Sequence, residues 1–259
     1  MELFFYFFIF IFGLCIGSFL NVVIYRLPKK ESIVSPGSHC PRCQTPLNWF
    51  HNIPVISYFV ILRGHCKFCD EKISFRYPFV EIITGILFLL ISLVFGIGVE
   101  LFWYYFPIVS ILICIFWIDI DHRIIPDQLN FLLLFFGLLG AFFSVKVTLI
   151  NAAVGGGFGF VLFYFFSWAY FKVTGQMGLG GGDIKYLGAI GTILGFVGVL
   201  DLIFLSSILG SVIGILYLKF SGQKAQMKSS IAFGPFLVFA TLYLLIGGDF
   251  LWRPFMTLM

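Results

Sequence analysis

Charged side chains are scarce in this sequence. Only 11% of its 259 residues are Asp, Glu, Lys or Arg, whereas soluble globular chains carry about 25%. Apolar residues make up 60% of the chain, and the mean hydropathy is +1.05. This composition excludes a soluble domain and a disordered chain. The net charge of +4 is small and scattered along the chain, and therefore does not indicate nucleic-acid binding.

Long apolar runs fill most of the chain and predict membrane-spanning helices. A helix needs about 20 apolar residues to cross the hydrocarbon core, and continuous runs favour helices over the alternating strands of a barrel. We therefore predict an all-α polytopic membrane protein with about eight transmembrane helices. The predicted spans are residues 3–24, 79–97, 100–119, 129–145, 148–170, 184–200, 202–218 and 231–248. We expect the first run to be a retained span, because no basic residue precedes it and no small-residue cleavage site follows it.

The positions of the basic residues predict the orientation. Fourteen of the 16 Lys and Arg residues lie in alternate connections between the predicted spans, and cytoplasmic connections carry the excess of these residues. We therefore place these connections in the cytoplasm and both termini outside. By composition the chain divides into residues 1–78, a first span with a polar cytoplasmic loop, and residues 79–259, a helical bundle. All motifs described below lie on the predicted cytoplasmic side.

The polar loop contains two Cys-x-x-Cys pairs. Cys40 and Cys43 form the first pair, and Cys66 and Cys69 form the second after 22 intervening residues. Pairs with this spacing predict a four-thiolate zinc site of structural type, because each two-residue gap allows both sulfurs to reach one tetrahedral ion. Disulfides and a redox pair are the alternatives, and the predicted reducing compartment disfavours disulfides. Since the loop has little apolar content, metal binding would stabilise its fold.

The other cysteines and the loop histidines have simpler interpretations. Cys15 and Cys114 lie within apolar spans, where we expect buried packing residues. His39 and His65 each precede the first cysteine of a pair. They are conceivable metal ligands, but we interpret them as exposed loop residues.

Two acidic motifs stand where apolar runs meet the predicted cytoplasmic face. Asp119, Asp121 and Asp127 fall within nine residues at the end of the third span. Asp183 follows a glycine-rich stretch, residues 178–182, at the start of the sixth span. Carboxylates at membrane depth are costly and indicate function. Two Asp side chains that share a proton can activate water and protonate a scissile carbonyl, which is the chemistry of aspartic proteolysis.

The spacing alone does not decide which residue partners Asp183. Asp119 and Asp121 differ by about 200° around a helix, so one of them faces a given neighbour. We choose Asp119, because it lies closest to the apolar span. Both could instead be interfacial residues that pair with Arg123, and for Asp127 we favour a helix-capping role after Pro126.

These motifs together resemble the type IV prepilin peptidases. The resemblance implies a multi-pass aspartic protease of the bacterial inner membrane that removes the leader of prepilins or pseudopilins at the cytoplasmic face. By position, the catalytic pair of the family falls on Asp119 and Asp183. The segments that carry the resemblance are Gly17–Pro28, the two cysteine pairs, Arg76-Tyr77-Pro78 with Glu81, Asp119–Asp127 and Gly182-Asp183.

The resemblance also implies a second activity. Many members of the family methylate the new N-terminal amine with S-adenosylmethionine, an activity associated with the N-terminal cytoplasmic region, which is present here. We therefore expect both activities, although no glycine-rich nucleotide motif indicates where the methyl donor binds. We interpret Glu81 as a helix-start or ion-pair carboxylate, with substrate or methyl-donor recognition as the alternative. For Asn21 we favour a hydrogen bond between helices.

Two other functions are compatible with membrane-embedded acids. A polyprenyl-phosphate transferase would use Asp119, Asp121 and Asp127 to hold magnesium. A proton-coupled transporter would use intramembrane acids as a proton relay, but such proteins repeat their hydropathy pattern between halves, and this sequence has no such repeat.

Overall fold

The regular secondary structure of the described part of the protein is helical. The computed structural model describes residues 2–40, 42–176, 180–220 and 232–247, and within them there is no β-strand. This confirms the predicted fold class. The long helices are α1 (Glu2–Arg26), α2 (Arg76–Phe95), α3 (Phe106–His122), α4 (Asp127–Phe142), α5 (Leu149–Thr174), α6 (Gly181–Phe220) and α7 (Gly234–Ile246). Short helical turns are Leu27–Lys29, Trp49–Asn52, Ser57–Ile61 and Leu101–Tyr105, the last of which leads directly into α3.

The helices agree with the apolar runs. Five segments of the described chain are long and apolar enough to cross a membrane. They are Leu3–Lys29, Arg76–Phe95, Leu101–His122, Leu149–Thr174 and Gly181–Tyr217. α4 and α7 are apolar but shorter, with 16 and 13 residues. They match the fourth and eighth predicted spans, except that residues 231 and 248 lie outside the described residues.

The predicted border between the sixth and seventh spans is wrong. We placed it at Asp201, but this residue lies inside α6 with only 3% of its surface exposed. The helical path is interrupted instead at Gly195, where φ is +73° and ψ is −177°. Glycine tolerates this backbone conformation because it has no Cβ. Asn151 of α5 compensates the interruption, since its Oδ1 accepts a hydrogen bond from the Phe196 N–H at 3.1 Å.

The chain forms two compact units, residues 1–114 and 115–259. In the first unit α1 packs against α2. The Asn21 side chain of α1 donates a hydrogen bond to the Tyr77 carbonyl of α2 at 3.1 Å, which confirms the predicted interhelical role. Phe88 of α2 stacks on Phe106 of α3 with ring centroids 4.0 Å apart. Interhelical hydrogen bonding and aromatic packing therefore both hold this unit together.

The second unit is organised around α6, which packs against α4, α5 and α7. Tyr186 of α6 and Thr241 of α7 share a buried hydrogen bond of 2.7 Å between their hydroxyls. After the end of α4, the Lys146 ammonium donates to the carbonyls of Leu244 and Leu245 at 3.1 and 3.3 Å. The last carbonyls of a helix lack intrahelical partners, so this contact stabilises the end of α7.

α5 and α6 approach each other at backbone distance. A Cβ added to Gly155 would lie 2.4 Å from the Gly195 carbonyl carbon and 2.6 Å from the Gly191 oxygen. In the same way, a Cβ added to Gly191 would lie 2.5 Å from the carbonyl oxygen of Gly155. Small residues allow this close helix packing inside membranes.

We predict that Gly155→Ala destabilises the protein, because the added methyl group has no space between the two backbones. Overpacking of this kind costs about 1–3 kcal/mol. Gly157→Ala in the same helix is the matched control, since its Cβ would meet nothing within 4 Å. Thermal unfolding in detergent, followed by circular dichroism, measures the difference. Equal midpoints for the two variants would contradict the packing described here.

Candidate active site and metal centre

Asp119 is buried near the C-terminal end of α3, with 5% of its surface exposed. Its carboxyl packs on Gly234, the first residue of α7, where an added Cβ would lie 2.5 Å from Oδ2. The Gly234 amide and the nearby Arg123 both interact favourably with the carboxylate. The first N–H groups of a helix lack intrahelical partners and attract negative charge. Oδ2 itself is buried and makes no hydrogen bond of good geometry within the described residues.

Asp183 is half-buried in the first turn of α6. Its backbone N–H donates to the Gly180 carbonyl at 3.1 Å. The preceding residue, Gly182, is held by α4, because the Asn130 amide donates to its carbonyl at 3.2 Å. The charge of Asp119 acts on Asp183. The two predicted site residues, distant in sequence, therefore lie in the same region of the second unit.

The other two aspartates of the first motif have different surroundings. Asp121 is exposed. Asp127 is the first residue of α4 and makes no capping hydrogen bond, because Pro126 occupies the N-cap position. Its carboxylate is bound instead by Lys185 of α6, with both oxygens 2.8 Å from the ammonium. The predicted capping role of Asp127 is therefore wrong, and the residue joins α4 to α6.

The described aspartates do not gather into one cluster. The transferase hypothesis assigns a magnesium site to Asp119, Asp121 and Asp127 together. In the described part of the chain, the four loop cysteines are the only group of three or more metal-ligating side chains that converge. The transferase hypothesis requires Asp119, Asp121 and Asp127 to converge on one ion, and they do not.

Two residues of this site were not identified from the sequence. Gly234 gives the Asp119 carboxyl its space, and Asn130 positions the turn that precedes Asp183. A weak signal existed for Gly234, since a Gly-Pro pair before an apolar run is typical of a helix start. An Asn within an apolar helix is also unusual and indicates a polar contact.

The four loop cysteines converge as predicted. The sulfurs of Cys40, Cys43, Cys66 and Cys69 all lie within 4.8 Å of one another, and the sulfurs of Cys40 and Cys69 are 3.8 Å apart. Tetrahedral zinc with Zn–S bonds of about 2.3 Å places its sulfurs about 3.8 Å apart. The set fits a structural zinc ion, because four thiolates leave no open coordination position.

The two cysteine pairs have matching backbone conformations. The amide of the first cysteine donates to the carbonyl five residues later, Cys40 to Thr45 at 3.1 Å and Cys66 to Glu71 at 2.8 Å. The carbonyl of the same cysteine accepts from the residue four positions on, at 2.9 Å in both pairs. That residue, Gln44 or Asp70, has a positive φ of 58° or 56°. Arg42 and Glu71 form an ion pair between the two cysteine pairs. This repeated geometry indicates that the chain is preorganised for one shared ion.

The electrostatics of the cluster also favour a bound cation. The Thr45 hydroxyl and amide lower the pKa of Cys43 to about 6, and the amides of Phe68 and Cys69 lower the pKa of Cys66. The Glu71 amide has the same effect on Cys69, but desolvation and the neighbouring sulfurs outweigh it and raise the Cys69 pKa to about 12. Four adjacent thiolates repel each other, so a divalent ion is needed to hold all of them deprotonated.

The remaining cysteines and histidines lie outside this cluster. His39 and His65 direct Nδ1 toward the carbonyls of Gly37 and Arg63, at 3.0 and 3.1 Å. Cys114 is buried, as predicted. Cys15 is exposed on α1, so its predicted buried role is wrong. An apolar helix that crosses a membrane buries part of its surface against lipid, and hydropathy does not distinguish that part from a protein contact.

Glu81 is buried in the first unit, with 7% of its surface exposed. Its Oε2 accepts a hydrogen bond from the Val55 N–H of the loop at 2.7 Å, and its carboxyl also contacts the Ser18 hydroxyl of α1. Glu81 therefore connects α2 with both α1 and the loop, a role that the helix-start interpretation does not describe.

Comparison with known proteins identifies the family. Residues 11–95 match the model of the bacterial peptidase A24 N-terminal domain, and residues 106–215 match that of the type IV leader peptidase family. A Legionella pneumophila protein named prepilin leader peptidase/N-methyltransferase is 35% identical over 92% of this chain and 90% of its own length. The chain belongs to the type IV leader peptidase family. No solved structure matches it.

Other members of the family bear the same name. The Neisseria gonorrhoeae protein is 33% identical over 93% of this chain and 90% of its own length. The Myxococcus xanthus protein is 38% identical over 83% of this chain and 64% of its own length. With its five membrane-length helices, this family member is a multi-pass protein of the bacterial inner membrane.

We predict that the purified protein carries about one zinc ion per chain and that Cys43→Ser removes most of it, because three sulfurs hold the ion more weakly than four. Elemental analysis by mass spectrometry measures the zinc. Trypsin should then cut the loop of the Cys43→Ser protein faster than that of the wild type. Cys15→Ser, at an exposed thiol of α1, is the control and should keep its zinc. A wild-type protein without zinc would refute this assignment.

Proposed function

We propose that this family member is a membrane-embedded aspartic endopeptidase that removes the leader peptide from type IV prepilins or pseudopilins. The observation that carries the proposal is that a buried Asp119 and Asp183 interact electrostatically at the ends of two apolar helices. The family match and the names of the relatives support the substrate class.

The pair supplies the acid and the base of peptide hydrolysis. One carboxylate takes a proton from water while the water oxygen bonds to the scissile carbonyl carbon, and the protonated partner donates its proton to the carbonyl oxygen. The carboxyl that gained the proton of water then protonates the leaving amine, its partner takes back a proton from a hydroxyl of the tetrahedral intermediate, and the C–N bond breaks. Asp119 and Asp183 act as one unit with a shared proton. The Gly234 amide and Arg123 partly offset the negative charge of the Asp119 carboxylate. The singly ionised form of the pair therefore stays accessible in a buried site.

We place this chemistry at the cytoplasmic face. Asp119 stands near the end of α3 and Asp183 at the start of α6, so water reaches them without crossing the apolar core. Arg123 and Lys185 flank these helix ends, in agreement with the distribution of cations that marks cytoplasmic connections. A helical substrate has its carbonyls occupied, so the leader junction unwinds before it is attacked.

The proposed second activity is N-methylation of the new N-terminus with S-adenosylmethionine. The relatives named for both activities match nearly the full chain, and residues 11–95 match the N-terminal domain model. The zinc loop belongs to this region. Its fit to one structural ion supports a folded cytoplasmic domain separate from the peptidase residues.

We expect Asp119→Asn and Asp183→Asn each to lower leader cleavage at least about 10³-fold, because an amide can neither take up nor donate the required proton. The assay incubates purified protein in detergent with a prepilin and measures the product masses. Asp121→Asn is the control. Its exposed carboxyl lies on the same helix, and we expect cleavage within about twofold of wild type. Full activity of the Asp183→Asn protein would refute the proposed pair.

We expect Gly234→Ala to slow cleavage, because the new methyl group would displace the Asp119 carboxyl. A shift of about 1 Å in a catalytic group can cost about 100-fold in rate, so we expect a 10- to 100-fold lower kcat and a smaller change in KM. Gly247→Ala, at the other end of α7, is the matched control because its Cβ would meet nothing within 4 Å. Wild-type kcat in the Gly234→Ala protein would contradict the described contact.

A further inference from the structure

A large cavity lies in the first unit, between the loop and the adjoining ends of α1 and α2. We call it the loop cavity. Its volume is about 520 Å³, within the range of about 300–1,000 Å³ that is usual for small-molecule sites. Side chains of Ser18, Cys40, His51, Cys66 and Glu81 contribute to its wall. None of the peptidase residues belongs to this unit.

Glu81 supplies a buried negative group to this cavity. Its carboxylate is fixed by the Val55 N–H, and Val55 has a φ of +61°. A β-branched residue in this conformation is strained and persists only where its surroundings hold it. The chain therefore accepts a strained backbone in order to orient this carboxylate. A buried carboxylate with few partners favours a cationic ligand.

His51 lines the same cavity and has an unpaired ring nitrogen. It is buried, with 5% of its surface exposed. Its Nδ1 accepts a long hydrogen bond from the Asn48 N–H at 3.4 Å, so the proton of the neutral ring is on Nε2. Within the described residues Nε2 has no hydrogen-bond partner. Since buried polar groups are normally paired, this N–H indicates a ligand that carries an acceptor.

The rest of the wall suits a ligand with an aromatic part. Tyr58 and Tyr77 line the cavity, and tyrosine rings present large flat surfaces to a base. Arg26 also lines it, but its guanidinium already donates to three loop carbonyls at 2.8 to 3.1 Å. Lys67 and Lys72 also line the cavity and can face a carboxylate. His51 is therefore one of several donors available to an acceptor, and Glu81 is a buried acid available to a cation.

We propose that the loop cavity binds S-adenosylmethionine, with the Glu81 carboxylate facing positive charge and the His51 Nε2–H donating to an acceptor of the ligand. This inference rests on the proposed methylation activity. The ligand combines a sulfonium, an ammonium, a carboxylate and an adenine, which match the charges and surfaces of the wall. When bound, it supplies a methyl group to the substrate amine, leaves as a neutral thioether, and one proton is lost from the amine.

The test measures binding directly. Isothermal titration calorimetry with S-adenosylmethionine uses the full-length, zinc-loaded protein in detergent. We expect Glu81→Gln and His51→Ala each to weaken binding at least tenfold, while Glu100→Gln, an exposed glutamate beyond the other end of α2, binds as wild type does. Unchanged zinc content and thermal midpoint show that the variants are folded. Equal affinity in all four proteins would overturn the proposal.

A second measurement requires no variant. Ultraviolet cross-linking of methyl-labelled S-adenosylmethionine to the wild-type protein, followed by peptide mapping, should place the label within residues 18–81. A label that maps to residues 115–259 overturns the loop cavity as the site and leaves the proposed methylation intact. If the wild type neither binds the donor nor methylates a cleaved pilin, the methylation proposal fails and this inference fails with it.

Discussion

The cost of burying a carboxylate next to an apolar bundle is the constraint on which the second unit depends. An isolated ionised group loses several kcal/mol of hydration when it leaves water, and Asp119 has only 5% of its surface exposed. Groups from other elements offset part of this cost. The first amide of α7 lies against the Asp119 carboxyl, and Arg123 adds a positive charge after α3 ends. Asp183 stands in the first turn of α6, where the helix dipole favours negative charge. Both aspartates therefore lie at the N-terminus of a helix. Asp183 belongs to that helix, α6, whereas Asp119 belongs to α3 and lies against the start of α7.

This requirement explains why the helices around the site are held by polar contacts as well as by apolar packing. α7 must keep its first residue against Asp119, and Lys146 binds the carbonyls at its opposite end. α4 must keep Asn130 on the Gly182 carbonyl, and the ion pair between Asp127 and Lys185 joins α4 to α6 beside that contact. In a lipid environment apolar burial does not favour one helix neighbour over another. Specific contacts of this kind are therefore needed to fix the relative positions of two carboxyls from distant parts of the chain.

The sequence was sufficient for those features that depend on transfer from water or on local spacing. Hydropathy predicts the helices because each run is apolar over its whole length, and the spacing of the cysteines predicts their convergence because both pairs bend the chain alike. Hydropathy failed at Gly195, since the interruption depends on a backbone angle and leaves the apolar run continuous. The capping prediction failed at Asp127 because Lys185, a residue of another helix, binds the carboxylate. Gly234 and His51 acquire their roles from tertiary neighbours, and no local pattern encodes such neighbours.

The cysteine cluster and the loop cavity are both formed by the same polar loop. The loop has too few apolar residues to form a core of its own, so an ion bound by the four cysteines would fix its shape. Cys40 and Cys66, the first cysteine of each pair, also line the cavity. Metal binding would therefore set the position of one wall, while the hydrogen bond between Val55 and Glu81 ties the loop to α2 at another. A cavity built in this way is open to a polar ligand without requiring a hydrophobic core beneath it. This is how a short polar segment between two apolar helices can hold a binding site.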